Sequence, residues 1–430
     1  METMKTLLIV TQLDYQYFSN TRTHHMVDQF RDRFAKITVI YKAHMAGETL
    51  GQRIRSFFTV GIREYGKDPV SLIEVSPLFH AHNGLGLSLL GISNPYALPP
   101  SLLKRFLRRV FSAMGFIIET AILPSLILGY LLKDRAKYDV FIGEGVWAIA
   151  MGYILKKTGR VRLLVSDDYD YSPGSQPISR FRQWYTNLIE VAMLRRSDLV
   201  FSVGSLLAGL RKSQTGKPVE VVPNGVKRAL FGAGRKKAPH PPTLIYIGAV
   251  EGWSGLDIVI EALSGIRDKI RGIRLIVIGH GPSGYVEELR GLAARHGVEE
   301  NVEFRGVKKY SELPACMSEA DIGLSVYMPI ELRKYAFSLK VIEYMSAGLP
   351  VIATRGTESG LLLDESGAGL SVDYTPLSVE KAILRLLGDR GFYDECARRA
   401  LATSAEYDWK SIMKRCYSLI EMSYESLHQT

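Results

Sequence analysis

Short runs rich in β-branched and aromatic residues alternate with longer segments of helical periodicity along nearly the whole of this sequence. A strand that is followed by a helix returns to a parallel neighbour, so the alternation predicts parallel sheets with helices wound on both faces. Two series of strands are expected. The first holds Thr6–Thr11, Ile37–Tyr41, Leu72–Val75, Asp139–Gly143, Val161–Ser166, Leu199–Val203 and Val219–Val222. The second holds Leu244–Gly248, Arg274–Gly279, Val302–Arg305, Ile322–Ser325, Pro350–Ala353 and Gly369–Val372. At 430 residues the chain exceeds one ordinary core, and two domains follow. The stretch VPNGVKRALFGAGRKKAPHPP between the series, with its Asn-Gly turn, basic run and prolines, reads as their connection and places the boundary near Phe231.

The densest constellation is YAFSLKVIEYMSAGLPVIAT, Tyr335 to Thr354. Leu339, Ile342, Tyr344 and Met345 recur at helical spacing, Ser338 is a good cap, and Gly348 with Pro350 stops the helix before a strand. Amides at such a helix start, beside the end of a parallel sheet, favour a phosphate. Lys340 adds a positive charge there, and Glu343, one turn on, is placed to accept hydrogen bonds from a ribose diol. The same spacing also fits an ordinary amphipathic helix with a solvated Glu343.

Three further groups carry chemistry. Gly279, Gly281 and Gly284 form a G-x-G-x-x-G between a strand and a helix. The motif follows the second strand of its domain, and the next strand ends without an acid, which counts against a nicotinamide or flavin cofactor. A phosphate- or sugar-facing turn is the preferred reading, and glycines serving only tight packing the alternative. Glu144, Asp167 and Asp168 stand where strands end, facing the ligand crevice of an open parallel sheet or merely solvated. In SLLKRFLRRVFSAMG, from Ser101, an apolar half-wheel faces Lys104, Arg105, Arg108 and Arg109 with no acid between them. That is the pattern of a helix resting on anionic headgroups, or of a core-facing surface helix. The following FIIETAILPSLILGYLL is seventeen residues long and carries Glu119, short of the about 20 apolar residues of a spanning helix. It is expected to be buried or membrane-resting.

Charge and cysteines narrow the class. A net charge of +10 favours anionic partners without choosing among them. Cys316, Cys396 and Cys416 are odd in number and unpaired in spacing, as in a reducing compartment, and no metal-ligand spacing occurs among the nine histidines. The start METMKTLLIV reads as a first strand and not as a secretion signal.

VPNGV, IYIGAVEGWSGLDIVIEAL, LIVIGHGP, NVEFRGV, EADIGLS and SLKVIEYMSAGLPVIAT together resemble the family 4 (group 1) glycosyltransferases, retaining enzymes of the GT-B fold that use nucleotide diphosphate sugars. The resemblance is strong from about Val221 to Thr354, and EYDWKSIMKRCYSLIE looks like the family's closing helices. It implies an α/β chain of two Rossmann-like, doubly wound domains facing a central cleft. Residues 1–230 would bind the acceptor, with 407–430 packing back on them, and 231–406 would bind the donor. It also implies that Glu343 holds the donor ribose, that the amides of Ser338 and Leu339 hold the diphosphate, that Gly281 lies by the donor, and that the backbone near Val307 meets the base. The sequence departs from the pattern where the family has an acid, here Tyr335, and where it has a basic pair, here Ala249 and Ser254. The Gly-rich loop after the first strand is replaced by QLDYQYFSNTRTHH, and Glu144 stands where many members have His. Lys340, with Arg333 and Lys334, is positioned to supply the missing charge.

The expected activity is transfer of a hexose-type sugar from a nucleotide diphosphate donor to a lipid-linked or saccharide acceptor, with Glu144, Asp167 and Asp168 as catalytic candidates. Neither cofactor, metal nor nucleic acid is called for. The protein is expected in the cytoplasm, in peripheral contact with the anionic inner face of the cell membrane. The alternatives are a sugar-nucleotide-binding subunit of little activity, or another GT-B enzyme such as a sugar-nucleotide epimerase.

Overall fold

All the expected strands form, with ends shifted by no more than two residues. The computed structural model describes residues 4–11, 15, 21–42, 61–76, 121–171, 180–232 and 240–427. Contacts divide the chain into two compact units, one of Met1–Ser202, Ala208–Val222 and Met413–Thr430, the other of Val203–Leu207 and Pro223–Ile412.

The first unit is built on β1 (Thr6–Thr11), β2 (Lys36–Lys42), β3 (Gly61–Lys67), β4 (Val70–Ser76), β5 (Tyr138–Glu144), β6 (Val161–Asp168), β7 (Leu199–Ser202) and β8 (Glu220–Val221). They lie in the order β3-β4-β2-β1-β5-β6-β7-β8, all parallel except β3, which pairs antiparallel with β4. The sequence reading missed β3. GIREYGK has no clean alternation, and its exposed charged residues suit an edge strand, where they discourage pairing with another sheet. The central strands are buried on both faces, so Leu7–Val10, Val140–Ile142 and Leu163–Val165 run apolar without alternating. The closing helix, Trp409–Ser426, belongs to this unit from Met413 onward, and its Tyr417 packs edge-on against Phe30 and Phe34.

The described half of the apolar segment is the helix Leu123–Asp134, whose Leu123, Ile127 and Leu131, one turn apart, face the core. Among the described residues no helix is long and apolar enough to cross a membrane. Lys104, Arg105, Arg108 and Arg109 lie outside the described residues.

The second unit carries β9 (Thr243–Ile247), β10 (Arg274–Ile278), β11 (Val302–Phe304), β12 (Ile322–Ser325), β13 (Val351–Thr354) and β14 (Gly369–Val372), in the order β11-β10-β9-β12-β13-β14. The chain builds outward from β9 to one edge, then returns to build from β12 to the other. Direction therefore reverses between β9 and β12, the switch point at which open parallel sheets take ligands. Pairing of β12 with β9 is confined to Ile322–Leu244 and Gly323–Ile245. Beyond these the N–H of Ile247 donates instead to the Tyr344 hydroxyl, at 2.8 Å. The Tyr344 ring lies on Gly323, where an added Cβ would come within 2.3 Å of it. One buried tyrosine thus keys the helix Leu339–Ser346 onto both strands that border the switch point.

Candidate functional site

Of the residues expected to hold a donor, Ser338, Lys340 and Arg333 make their contacts at the ends of β9 and β12. Ser338 takes the extended backbone of a cap, but its hydroxyl does not cap the helix and instead accepts from Ser325 Oγ at 3.4 Å. Leu339 is 41% exposed, so the helix start is open to solvent. Lys340 is only 8% exposed. Its Nζ lies 3.7 Å from the centre of the Tyr246 ring and 4.9 Å from that of Tyr327, and makes no hydrogen bond of normal geometry. Burial pushes the ammonium pKa down, against the opposing pull of Tyr327 and Glu343. Burial would raise the Tyr327 phenol, yet Lys340 and Ser338 hold it below its usual range.

Glu343 is buried one turn further on, and burial raises its pKa while the Tyr310 hydroxyl, donating to it, pulls it back. Tyr335 is buried, with Lys334 Nζ 5.3 Å from its ring centre. Arg333 lies face to face with Trp253, 3.5 Å from the ring centre. Val307, after the Gly306 turn, is 67% exposed.

Two of the three glycines sit where the backbone of two loops approaches closely. A Cβ on Gly279, at φ 141°, would stand 1.8 Å from the Gly248 carbonyl oxygen, and one on Gly281 would stand 1.7 Å from that of Val250. The loops after β9 and β10 are bonded backbone to backbone, Gly248 N–H to the Ile278 carbonyl and Val250 N–H to that of His280. Close packing of two loops, the alternative in the sequence, accounts for Gly279 and Gly281, while Gly284 has open space around it.

In the first unit the three acids separate. Glu144 and Asp167 are register partners on β5 and β6, so they stand side by side on one face of the sheet. Thr23 Oγ1 donates to Glu144 at 2.6 Å, and Arg22 Nε donates to Asp167 at 2.6 Å while its Nη1 reaches the Val222 carbonyl at 2.7 Å. Burial, then the Asp167 charge, raise the Glu144 pKa to about 7, and hydrogen bonds from Thr11 and Thr23 act against them. A carboxyl in that range can give or take a proton near neutral pH. Asp168 does not join them. Strand alternation turns it to the opposite face, where Arg211 grips both its oxygens, at 2.7 and 3.3 Å, and also bonds Glu190. With both oxygens engaged by a fully buried arginine, Asp168 serves an internal ion-pair cluster.

The sequence reading missed Arg22 and Thr23 on the helix Arg22–Phe30, and the aromatic residues Tyr246, Trp253, Tyr310 and Tyr327 that surround the charges. Among the described residues no cluster of three or more His, Cys, Asp or Glu could hold a metal ion, and the three cysteines are free and buried.

Residues 241–389, which contain the residues expected to hold a donor, match the family described as Glycosyl transferases group 1. The second unit carries a group 1 glycosyltransferase domain. This glycosyltransferase is 25% identical over 320 residues to a D-inositol 3-phosphate glycosyltransferase of Corynebacterium glutamicum, covering 68% of this chain and 74% of that protein. It is 32% identical over 162 residues to a GDP-mannose-dependent alpha-(1-6)-phosphatidylinositol monomannoside mannosyltransferase of Mycobacterium tuberculosis, covering 36% of this chain and 41% of that protein. Among solved structures, HepE of Anabaena in complex with UDP aligns over 97% of this chain and all of its own, at a TM-score of 0.66 and 18% identity. The glycosyltransferase therefore has the GT-B fold.

Proposed function

We propose that this glycosyltransferase transfers a hexose-type sugar from a nucleotide diphosphate donor to a lipid-linked or saccharide acceptor, with retention at the anomeric carbon, at the cytoplasmic face of a membrane. The observation that carries the donor half is the helix Leu339–Ser346. One short element brings an open helix start, a buried ammonium without an acid partner in an ion pair and a buried carboxylate to the β9/β12 switch point among the described residues. A turn rises about 5.4 Å, close to the spacing between a ribose diol and its 5′-diphosphate. Glu343 then holds the diol, and the Ser338 and Leu339 amides with Lys340 stabilise the charge that grows on the departing diphosphate. Retention means attack from the face the leaving group departs from. Glu144 beside Asp167 is the group suited to a proton or a substrate hydroxyl.

The names of the two relatives support the acceptor half, one acting on an inositol phosphate and the other on a phosphatidylinositol monomannoside. The absence of basic side chains at Ala249 and Ser254 favours a second reading, a sugar-nucleotide-binding subunit with little activity.

A thermal-shift panel of uridine, guanosine and adenosine diphosphate sugars tests the donor, since a ligand at about 100 times its Kd stabilises by about 2.7 kcal/mol. No shift with any of them removes the proposal. Donor turnover with and without a lipid-linked acceptor separates transfer from binding alone and from an acceptor-independent reaction. Sedimentation with anionic vesicles tests the membrane: replacing Lys104, Arg105, Arg108 and Arg109 with Gln should release the protein, and unchanged sedimentation would remove that part.

A further inference from the structure

The loop that follows β9 carries Ala249 and Ser254, and between them Trp253. Its shape is fixed from outside. The N–H of Met328 donates to the Trp253 carbonyl at 3.0 Å, and Gly255, at φ 69°, brings the loop so close to β12's exit that a Cβ there would stand 1.7 Å from the Val326 carbonyl oxygen. The indole meets Tyr327 edge to face at 5.5 Å, and the Arg333 guanidinium lies flat upon it at 3.5 Å. A guanidinium stacked in this way is fixed in plane and direction, and keeps its N–H edge for another partner.

Arg333 has no ion pair among the described residues, and its Nε is buried without a hydrogen-bond partner. Its charge is felt by Lys340, Tyr246 and Tyr327. Lys340 is buried, also without a hydrogen bond of normal geometry, and the acid that acts on it, Glu343, is also engaged with Tyr310. The Ser254 Oγ and the Tyr285 hydroxyl are buried beside each other, without a hydrogen bond of normal geometry. A buried ammonium and a half-buried guanidinium thus stand together around the Tyr327 ring. Buried like charges are costly until an anion joins them. A diphosphate brings two negative charges and acceptor oxygens to match.

We propose that Trp253 is a positioning residue, which holds Arg333 flat so that the guanidinium edge and the Lys340 ammonium together grip the donor diphosphate. The inference rests on the nucleotide-sugar reading and goes beyond it, because it gives the charge missing at Ala249 and Ser254 a different origin: an indole-mounted arginine from the segment after β12.

Calorimetry with UDP and GDP, each against its nucleoside, provides the test. Trp253→Leu should weaken binding of whichever diphosphate the parent binds by about tenfold, the scale of one charge-assisted contact, and leave its nucleoside unchanged. Trp253→Phe, which keeps a ring for stacking, should recover most of the loss. Arg333→Gln should lose as much as Trp253→Leu, and the double variant little more than either, because the indole acts only through the arginine. Equal losses for diphosphate and nucleoside, or additive losses in the double variant, would overturn the inference. Should Trp253→Leu fail to fold, Trp253→Phe and Arg333→Gln decide alone, and an Arg333→Gln that binds like the parent overturns it. A parent that binds neither UDP nor GDP removes the donor reading and this inference with it.

Discussion

The Lys340 ammonium rests on the face of Tyr246, 3.7 Å from the ring centre, with no hydrogen bond of normal geometry to satisfy it. A desolvated ammonium favours its neutral form, and a bound diphosphate would favour the charged one. Donor binding should therefore take up a proton, and affinity should fall as pH rises through the depressed pKa of the empty site. Titration of a UDP- or GDP-sugar in two buffers of different ionisation heat, between about pH 7 and 9.5, measures the uptake. Lys340→Met should abolish the uptake and weaken nucleoside diphosphate binding by about tenfold or more while sparing the nucleoside. Equal losses for both ligands would show that Lys340 does not touch the diphosphate.

Glu343 is expected to bind the ribose. A carboxylate that accepts two hydroxyls makes charge-assisted bonds of about 1.5–3 kcal/mol each, so Glu343→Ala should weaken donor binding tenfold or more, and Glu343→Gln less. A 2′-deoxy donor should bind the parent worse than the normal donor, and bind Glu343→Ala no worse. A deoxy penalty that persists undiminished in Glu343→Ala would move the ribose elsewhere.

Glu144 should make stability depend on pH. Its folded pKa, about 7, exceeds the ordinary 4.5, so between these values the folded state binds more protons than the unfolded one. Stability then falls as pH rises from about 4.5 to 7 and is flat above, by a total on the order of 3 kcal/mol. Glu144→Gln, neutral throughout, should lack this slope. Urea midpoints at about pH 5 and 8 for both proteins provide the comparison, and parallel profiles would contradict the assignment.

The two glycines of one motif should respond in opposite directions. Gly281→Ala forces a methyl group against the Val250 carbonyl, and should cost about 2 kcal/mol or more. Gly284→Ala meets nothing within 4 Å in the first turn of the helix Ser283–Arg295, and should add about 0.5–1 kcal/mol. Thermal unfolding of both variants decides. If Gly281→Ala were as stable as the parent, close packing would not be the reason for that glycine.

Periodicity and punctuation are local properties, and what they specify was legible in the sequence. That includes the two strand series and the helix from Leu339 to Ser346 with Lys340 and Glu343 on it. The edge strand Gly61–Lys67 was not legible, because an exposed edge imposes little alternation. Only the tertiary structure decided which acid stands with which. Asp167 and Asp168 are adjacent in sequence, yet the alternation of β6 sends one to Arg22 and Glu144 and the other to Arg211. The same holds for Trp253 beneath Arg333 and for Lys340 between Tyr246 and Tyr327. These neighbours are 80, 94 and 13 residues apart by their numbering, and no pattern in a window of the sequence relates them. They meet because β9 and β12 diverge at the switch point while Tyr344 pins the helix between them, an outcome of strand register and packing.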